Sequence, residues 1–144
     1  MIIRKATKQD APAIRYLISQ FGVQPKLALL EQQLGELAND PGHQVWVYEN
    51  KSQVLGYIVF HFLPRPAFTG DTVFISDLVV DAETGITGIS RLLEEYVSEI
   101  ARARKCGDIQ LHCQSMLTDR RRFYEKQGYT VHDKYYNKRL IYAE

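Results

Sequence analysis

The chain has 144 residues, of which 45% are hydrophobic and 24% are charged. This length and composition favour a single globular domain, residues 1–144, with a substantial hydrophobic core. A net charge of +1 excludes the strongly basic field of nucleic-acid-binding domains, so no nucleic-acid partner is expected.

The sequence carries no recognisable targeting signal or metal motif. The N-terminus, Met1–Lys5, lacks the apolar core of a signal peptide, and no apolar run approaches the length of a membrane span. We therefore expect a cytoplasmic protein with no membrane partner. Cys106 and Cys113 have neither zinc-ribbon nor redox-pair spacing, which indicates reduced cysteines. His112 and Cys113 would point to opposite faces of a strand, so no metal site is expected.

The first half of the chain predicts one strand, two helices and a β-hairpin. Thr7 and Asp10 form the pattern of a capping box at the start of the first helix. Gly56, inside a strand pattern, indicates a close backbone approach or a bulge. The predicted elements are strands over Ile2–Ala6, His43–Glu49 and Val54–Leu63, a helix over Lys8–Gln20, and a helix from Pro25 to the break at Asn39–Gly42.

The second half is organised around a buried strand, a glycine-containing loop and a helix. The free N–H groups at the start of a helix, together with its dipole, can hold a pyrophosphate without any charged side chain. Gly85 and Gly88 fit such a loop, although many loops carry two glycines for turn geometry alone. The predicted elements are strands over Phe74–Val80, Asp108–Gln114, Tyr129–His132 and Tyr135–Tyr142, and helices over Ile89–Lys105 and Asp119–Gln127. The complete order, βααβββαβαββ, predicts a mixed α+β domain.

Two segments carry a resemblance to a known family. The first reads Asp-Leu-Val-Val-Asp-Ala-Glu-Thr-Gly-Ile-Thr-Gly-Ile-Ser-Arg-Leu-Leu over residues 77–93, and the second reads Asp-Arg-Arg-Arg-Phe-Tyr-Glu-Lys-Gln-Gly-Tyr over residues 119–129. Over essentially its whole length, the chain resembles the N-acetyltransferases of the GNAT superfamily. Its tail, Tyr135–Leu140, is most similar to bacterial small-molecule members near the aminoalkylphosphonate acetyltransferases. The resemblance implies a mixed, mostly antiparallel sheet of about seven strands flanked by four helices.

The loop departs from the family pattern at three positions. Thr84 stands where the family usually has arginine, Thr87 where it has a second glycine, and Ile89 where it has glycine or alanine. Gly88 is displaced by one place. Because the loop binds phosphate through backbone N–H groups, these changes matter less than they would in a side-chain site. The β-branched Ile89 is nevertheless expected to crowd the cofactor.

The resemblance implies that acetyl-CoA is the cosubstrate and that a small-molecule amine attacks it directly in a ternary complex. It leaves a homodimer open. Backbone groups of Leu78 and Val80 would bind the pantetheine arm and help polarise the thioester carbonyl. The residues expected to bind the cofactor are Leu78, Val79, Val80, Thr84, Gly85, Ile86, Thr87, Gly88, Ile89, Ser90 and Tyr124.

Tyr124 matches the family's usual general acid, which protonates the leaving thiolate. The alternative is that it only packs beside Phe123. Asp77 is the best candidate for the base, acting through a water, because it is a carboxylate in an apolar strand and burial would raise its pKa. The alternative is a structural aspartate. Weaker candidates for the base are His61, His112 and Tyr129.

Basic residues cluster on two of the predicted helices. Arg120, Arg121 and Arg122, with Lys126, either meet the phosphates of CoA or form a solvated helix face. Arg91 and Arg102 are expected to serve the helix surface, together with Arg104 and Lys105. The altered loop also keeps an alternative function open. The chain would then be a non-catalytic module of the same fold that binds acyl-CoA or a partner protein.

Overall fold

The computed structural model describes residues 1–112, 120–132 and 135–142. In this part of the chain, five strands form one sheet in the order β1-β2-β3-β4-β5. The strands are β1 (Ile2–Lys5), β2 (His43–Asn50), β3 (Gln53–Leu63), β4 (Thr72–Val80) and β5 (Asp108–Leu111). The helices are α1 (Ala11–Ser19), α2 (Leu27–Leu37), α3 (Ile89–Ala103) and α4 (Arg121–Lys126). Neighbouring strands pair antiparallel except β4 and β5, which are parallel and connected through α3.

The start of the first helix follows the predicted capping box. Lys8–Asp10 forms a short 3-10 turn that leads directly into α1. The backbone N–H of Thr7 donates to Oδ2 of Asp10 over 2.7 Å. Asp10 also receives two hydrogen bonds of 2.9 Å from the guanidinium of Arg4. This bidentate pair joins β1 to the helix start and holds the pKa of the Asp10 carboxyl below its usual value despite burial.

The sheet separates two hydrophobic cores. One face packs on α3 and α4, and its core contains Ile58, Phe60 and Leu93. The other face packs on α1 and α2, and its core contains Leu17 and Val47. Alternate residues of a strand point to opposite faces, so each central strand contributes to both cores. The prediction of a mixed α+β fold is therefore confirmed.

Gly56 in β3 lies where the sheet and α3 approach most closely. A Cβ at this position would lie 3.0 Å from Cγ2 of Ile89 and 3.2 Å from the carbonyl oxygen of Val79. The β2–β3 register also shifts beside this position, between Tyr48 and Glu49. The predicted close approach and the predicted bulge are therefore both present.

The expectation of about seven strands is wrong for the described residues, which form five. Residues 129–132 and 135–142, expected as two closing strands, form no strand. Their side chains explain why, since Val131 is 72% exposed and Tyr136 fully exposed. Alternating apolar residues specify a strand only where one face is covered. Asp119, Cys113 and the end of the predicted strand at Gln114 lie outside the described residues.

Helices of the described part are too short or too polar to cross a membrane. The longest, α3, has 15 residues and carries charged side chains on its exposed face.

Candidate functional site

A bulge in β4 places two polar residues on one face of the sheet. Val59 of β3 pairs with Asp77, whereas Phe60 pairs with Ile75, so Ser76 has no counterpart in β3. Ile75 and Leu78, on either side, both enter the core on the α3 face. Ser76 and Asp77 therefore both project from the opposite face, as two residues at a bulge can.

Beyond the bulge, the edge of β4 is open within the part of the chain that the structure describes. The parallel pairing joins Thr72–Ile75 to Asp108–Leu111 and goes no further. The bulge and the end of this pairing thus coincide. Leu78, where the pantetheine arm was expected, lies in this part of β4, beyond the pairing with β5.

Asp77 is half-buried, and burial raises the pKa of its carboxyl. It lies on the same face as Tyr57, whose phenol pKa is raised by burial and, to a lesser extent, by the charge of Asp77. This carboxyl therefore keeps its proton to a higher pH than an exposed aspartate does. A carboxylate whose pKa is raised accepts a proton more readily than an exposed aspartate does.

Tyr124 lies in the core on the α3 face, with only 3% of its surface exposed. Its ring packs against Phe123 at 5.2 Å and Tyr129 at 5.7 Å between centroids. Tyr124 and Asp77 consequently lie on opposite faces of the sheet. One reaction can use both side chains only at a point that is reachable from both faces of the sheet.

The loop between β4 and α3 is fixed by its own hydrogen bonds. The N–H of Glu83 donates to Oδ1 of Asp81 over 2.9 Å, and the N–H of Ile86 donates to Oγ1 of Thr84 over 3.2 Å. Gly88 is the N-cap of α3 with φ of 84°, a conformation that favours glycine. The displaced glycine of the sequence therefore serves the helix start directly.

The side chain of Ile89, which was expected to crowd the cofactor, lies in the core on the α3 face. Its side chain is 2% exposed and packs against Gly56 in the core on the α3 face. Because Gly56 has no side chain, the first turn of α3 can approach the sheet closely, and the side chain of Ile89 packs against Gly56. The N–H groups of that turn have no partner within the helix and face the loop.

A cleft of about 920 Å3 opens beside the start of α3. Among the described residues that line it, Asp81 contributes the one carboxylate, whereas four side chains are guanidinium groups. Arg120 hydrogen-bonds through Nη1 to Oγ of Ser90, in the first turn of α3, and lies 5.6 Å from the ring centroid of Phe123. The arginines are Arg91, Arg120, Arg121 and Arg122. The positive side chains and the helix dipole act in the same direction, so the cleft favours an anion.

The structure brings most of the predicted cofactor residues to this cleft, but not all. Gly85 and Tyr124 do not line it, and Leu78 and Val79 are buried in the two cores. Lys126 also lies outside its lining, whereas Arg91, expected on the helix surface, is part of it. The predicted residues that do line the cleft are Val80, Thr84, Ile86, Thr87, Gly88, Ile89 and Ser90, together with Arg120, Arg121 and Arg122.

The weaker candidates His61 and His112 belong to one row of rings across the sheet. His61 lies 6.2 Å from Phe74, and Phe74 lies 5.3 Å from His112, between ring centroids. His112 stacks on Tyr135 at 4.1 Å. These rings lie on the same face of the sheet as Asp77, so that face carries aromatic rings beside the carboxyl group.

Sequence reasoning missed three residues near the site. Glu94 is 3% exposed, accepts hydrogen bonds from Ser98, and burial raises its pKa. It contributes to the raised pKa of Tyr129, after burial itself. Its place in the buried stripe of α3, four residues after Ser90, was a usable signal. His43 and Ser76 were missed because their partners depend on strand register.

Comparisons with known proteins match the chain along most of its length. The family model described as "Acetyltransferase (GNAT) family" matches residues 10–129. The chain is similar to the solved structure of a tetramutant protein from Bacillus halodurans, with 25% identity, a TM-score of 0.77, and coverage of 97% of this chain and 100% of that one. It is also similar to a ribosomal-protein-alanine N-acetyltransferase from Brucella melitensis biovar Abortus 2308, with 18% identity, a TM-score of 0.75, and coverage of 96% and 98%. An acetyltransferase from Trypanosoma brucei has 19% identity, a TM-score of 0.77, and coverage of 96% and 99%.

Proposed function

Because this chain belongs to the acetyltransferase (GNAT) family, we propose that it transfers the acetyl group of acetyl-CoA to a primary amine of a small molecule. The amine attacks the thioester carbonyl directly while both substrates are bound. A C–N bond forms, the C–S bond breaks, and the sulfur leaves with a proton. This reaction needs an anion site for CoA, a base on the side of the amine and an acid on the side of the thiol.

The observation that carries the proposal is the positive cleft at the start of α3. The diphosphate of CoA would lie against the backbone N–H groups from Gly88 onward, which are oriented for an anion. Arg120 and Arg91 line the same cleft and would add charge to this backbone site. The open edge of β4 lies next to the cleft, so an arm extending from the diphosphate would reach the bulge.

Two residues would act on opposite sides of the thioester. Tyr124, in the core on the α3 face, would give its phenolic proton to the leaving sulfur. Asp77, on the other face, would take the proton of the attacking amine, directly or through a water. The opposite placement of the two side chains supports this division, because one proton leaves the nitrogen and the other is given to the sulfur, which are different atoms of the same intermediate.

The negative charge of Asp77 also favours an amine as the acceptor. An acceptor amine enters as an ammonium ion near neutral pH, and a half-buried carboxylate attracts it. Raising the pKa of Asp77 by burial then brings the carboxylate closer to the pKa range of a useful base. The same environment would bind the acceptor and prepare it for attack.

Two measurements test the proposal. Acetyl-CoA at about a hundred times its Kd should add about 2.7 kcal/mol to the free energy of unfolding, seen as a rise in Tm. Thiol release from acetyl-CoA is then followed with a panel of small primary amines and a peptide with N-terminal alanine. The peptide is included because one similar structure is a ribosomal-protein-alanine N-acetyltransferase. Turnover on a small amine supports the proposal, and no rise in Tm at millimolar acetyl-CoA contradicts it.

The altered loop supports a second candidate, an acyl-CoA-binding module without turnover. Thr84 and Thr87 occupy positions where the resemblance leads us to expect arginine and glycine. The two candidates differ in one result. A rise in Tm with acetyl-CoA, combined with no thiol release on any acceptor, favours the binding module.

A further inference from the structure

Three polar side chains form a continuous hydrogen-bonded chain across β2, β3 and β4. Nδ1 of His43 lies 2.7 Å from Nδ1 of His61, and Nε2 of His61 lies 2.8 Å from Oγ of Ser76. Each histidine ring therefore uses its Nδ1 for the contact with the other ring. His61 also uses its second nitrogen, Nε2, for the contact with Ser76. This arrangement needs one proton between the two Nδ1 atoms, so one ring donates and the other accepts.

The inner end of this chain lies at the bulge. Ser76 is the residue without a counterpart in β3, and it precedes Asp77 on the same face of the sheet. The outer end, His43, is the first residue of β2 and is half-buried. The chain therefore runs from the side of the sheet where the acceptor would bind towards its outer edge.

The proposed reaction must release one proton in each turnover. An ammonium ion and acetyl-CoA are converted into an amide and the free thiol of CoA, and one proton is released as the third product. Tyr124 gives a proton to the sulfur and regains one, so the net proton comes from the amine. Asp77 can accept that proton but must lose it again before the next turnover, and Asp77 is half-buried.

We propose that Ser76, His61 and His43 conduct this proton from the acceptor side to solvent, a role that rests on the proposed acetyltransferase function. Ser76 donates its hydroxyl proton to Nε2 of His61 and receives the proton of the acceptor side. His61 passes its Nδ1 proton to Nδ1 of His43. His43 then loses the proton on its Nε2 to water. Each group ends the sequence with the number of protons it had at the start, with both rings in the other tautomer, and the rings return to the first tautomer by proton exchange with water before the next turnover.

The surroundings keep His61 ready to accept. Burial, and then His43, lower the pKa of His61, so its ring is neutral at pH 7. Among the described residues, His43 from β2 is the titratable group that acts on His61, and from β4 Ser76 contacts the ring, with Asp77 next to Ser76 on the same face. His112 follows further along the row of rings, through Phe74. Conduction requires neutral His61, so the rate should rise with pH through a pKa below the usual histidine value.

The test compares variants in the thiol-release assay between pH 5 and pH 9. His61→Gln keeps a polar side chain of similar size but cannot exchange protons, and kcat should fall by about tenfold to a hundredfold. The part of the acidic limb that His61 contributes should disappear, leaving the limb that belongs to Asp77, and added imidazole should restore the rate. His43→Gln, at the outer end, should show the same loss and the same rescue. His132→Gln, an exposed histidine bonded to Thr130, is the matched control and should behave as wild type.

Other outcomes separate this proposal from the proposed function. Wild-type kcat and an unchanged pH profile in His61→Gln would overturn the relay and leave the acetyltransferase activity standing. A loss of rate that imidazole restores in neither variant would indicate a structural role and would also overturn it. An inert wild-type protein, tested with every acceptor, would overturn both proposals together.

Discussion

Gln20 joins the end of α1 to the segment that follows β4 through two hydrogen bonds. Its Nε2 donates to Oδ1 of Asp81 over 2.8 Å, and its Oε1 accepts from the backbone N–H of Ala82 over 2.9 Å. Asp81 and Ala82 both line the cleft beside α3. One amide therefore connects the end of α1 to the wall of the cleft beside α3.

Replacing Gln20 by alanine should loosen this wall of the cleft. Loss of two hydrogen bonds predicts a fall of about 1–2 kcal/mol in the free energy of unfolding and a severalfold weaker Kd for CoA. Urea unfolding and calorimetric titration measure the two effects. Gln32→Ala, on the exposed face of α2, should change neither. A wild-type Kd in Gln20→Ala would show that the loop holds its shape without α1.

Arg120→Ala should weaken CoA binding more than Arg102→Ala does. Arg120 lines the cleft and contacts Ser90 in the first turn of α3, so its loss removes charge beside the expected diphosphate. We expect a Kd about tenfold higher, equivalent to about 1.4 kcal/mol, and a weaker dependence of Kd on salt. Arg102→Ala is the control, because Arg102 is exposed near the other end of α3 and pairs with Glu99. Equal effects of the two changes would contradict the assignment.

Tyr124→Phe tests the proposed acid. The ring would keep its packing against Phe123 and Tyr129, and only the hydroxyl would be lost. We expect kcat to fall by about 10²–10⁴-fold with little change in the Kd of acetyl-CoA. Tyr96→Phe is the matched control, since that ring packs on Trp46 at 4.7 Å, away from the cleft. Undiminished turnover, with chemistry shown to limit the rate, would remove Tyr124 from the mechanism.

Asp77→Asn should make the protein more stable and less active. Burial raises the pKa of Asp77 in the folded state, so its ionisation costs stability as pH rises from about 3.9, the unfolded value, through the folded pKa. The asparagine should therefore gain about 0.5–2 kcal/mol at pH 7 and nothing below pH 4, where the aspartate is protonated in both states. Chemical unfolding at several pH values measures this. Glu36→Gln, a surface change on α2, should show no such dependence, and a destabilised Asp77→Asn would indicate a structural aspartate.

Local patterns in the sequence were sufficient wherever the interaction that fixes an element lies within a few residues. Thr7 and Asp10 are three positions apart and cap the first helix as predicted. The β2–β3 hairpin turns at Lys51 and Ser52, both with positive φ, in the predicted turn. The loop before α3 was likewise recognisable, because a strand, two glycines and an amphipathic helix follow one another directly.

Strand register was the main feature that these patterns could not predict. Simple alternation would place Ser76 and Asp77 on opposite faces, and only the shift opposite Val59 and Phe60 brings them to one face. That shift depends on how two strands meet, which no single segment encodes. The contact between His43 and His61 depends on register in the same way. The prediction of two closing strands was wrong for a related reason. Alternation of apolar residues alone cannot show whether a partner covers one face of a strand.

The parallel pairing of β4 and β5 has a kinetic consequence. The two strands lie on either side of the α3 crossover, and we expect their contacts to form late, because the crossover must be ordered before these contacts are gained. A ligand seated between α3 and β4 would then stabilise contacts that the folding transition state lacks. We expect CoA to slow unfolding and to leave the refolding rate almost unchanged. The protein would accordingly gain lifetime, rather than folding speed, from its own substrate.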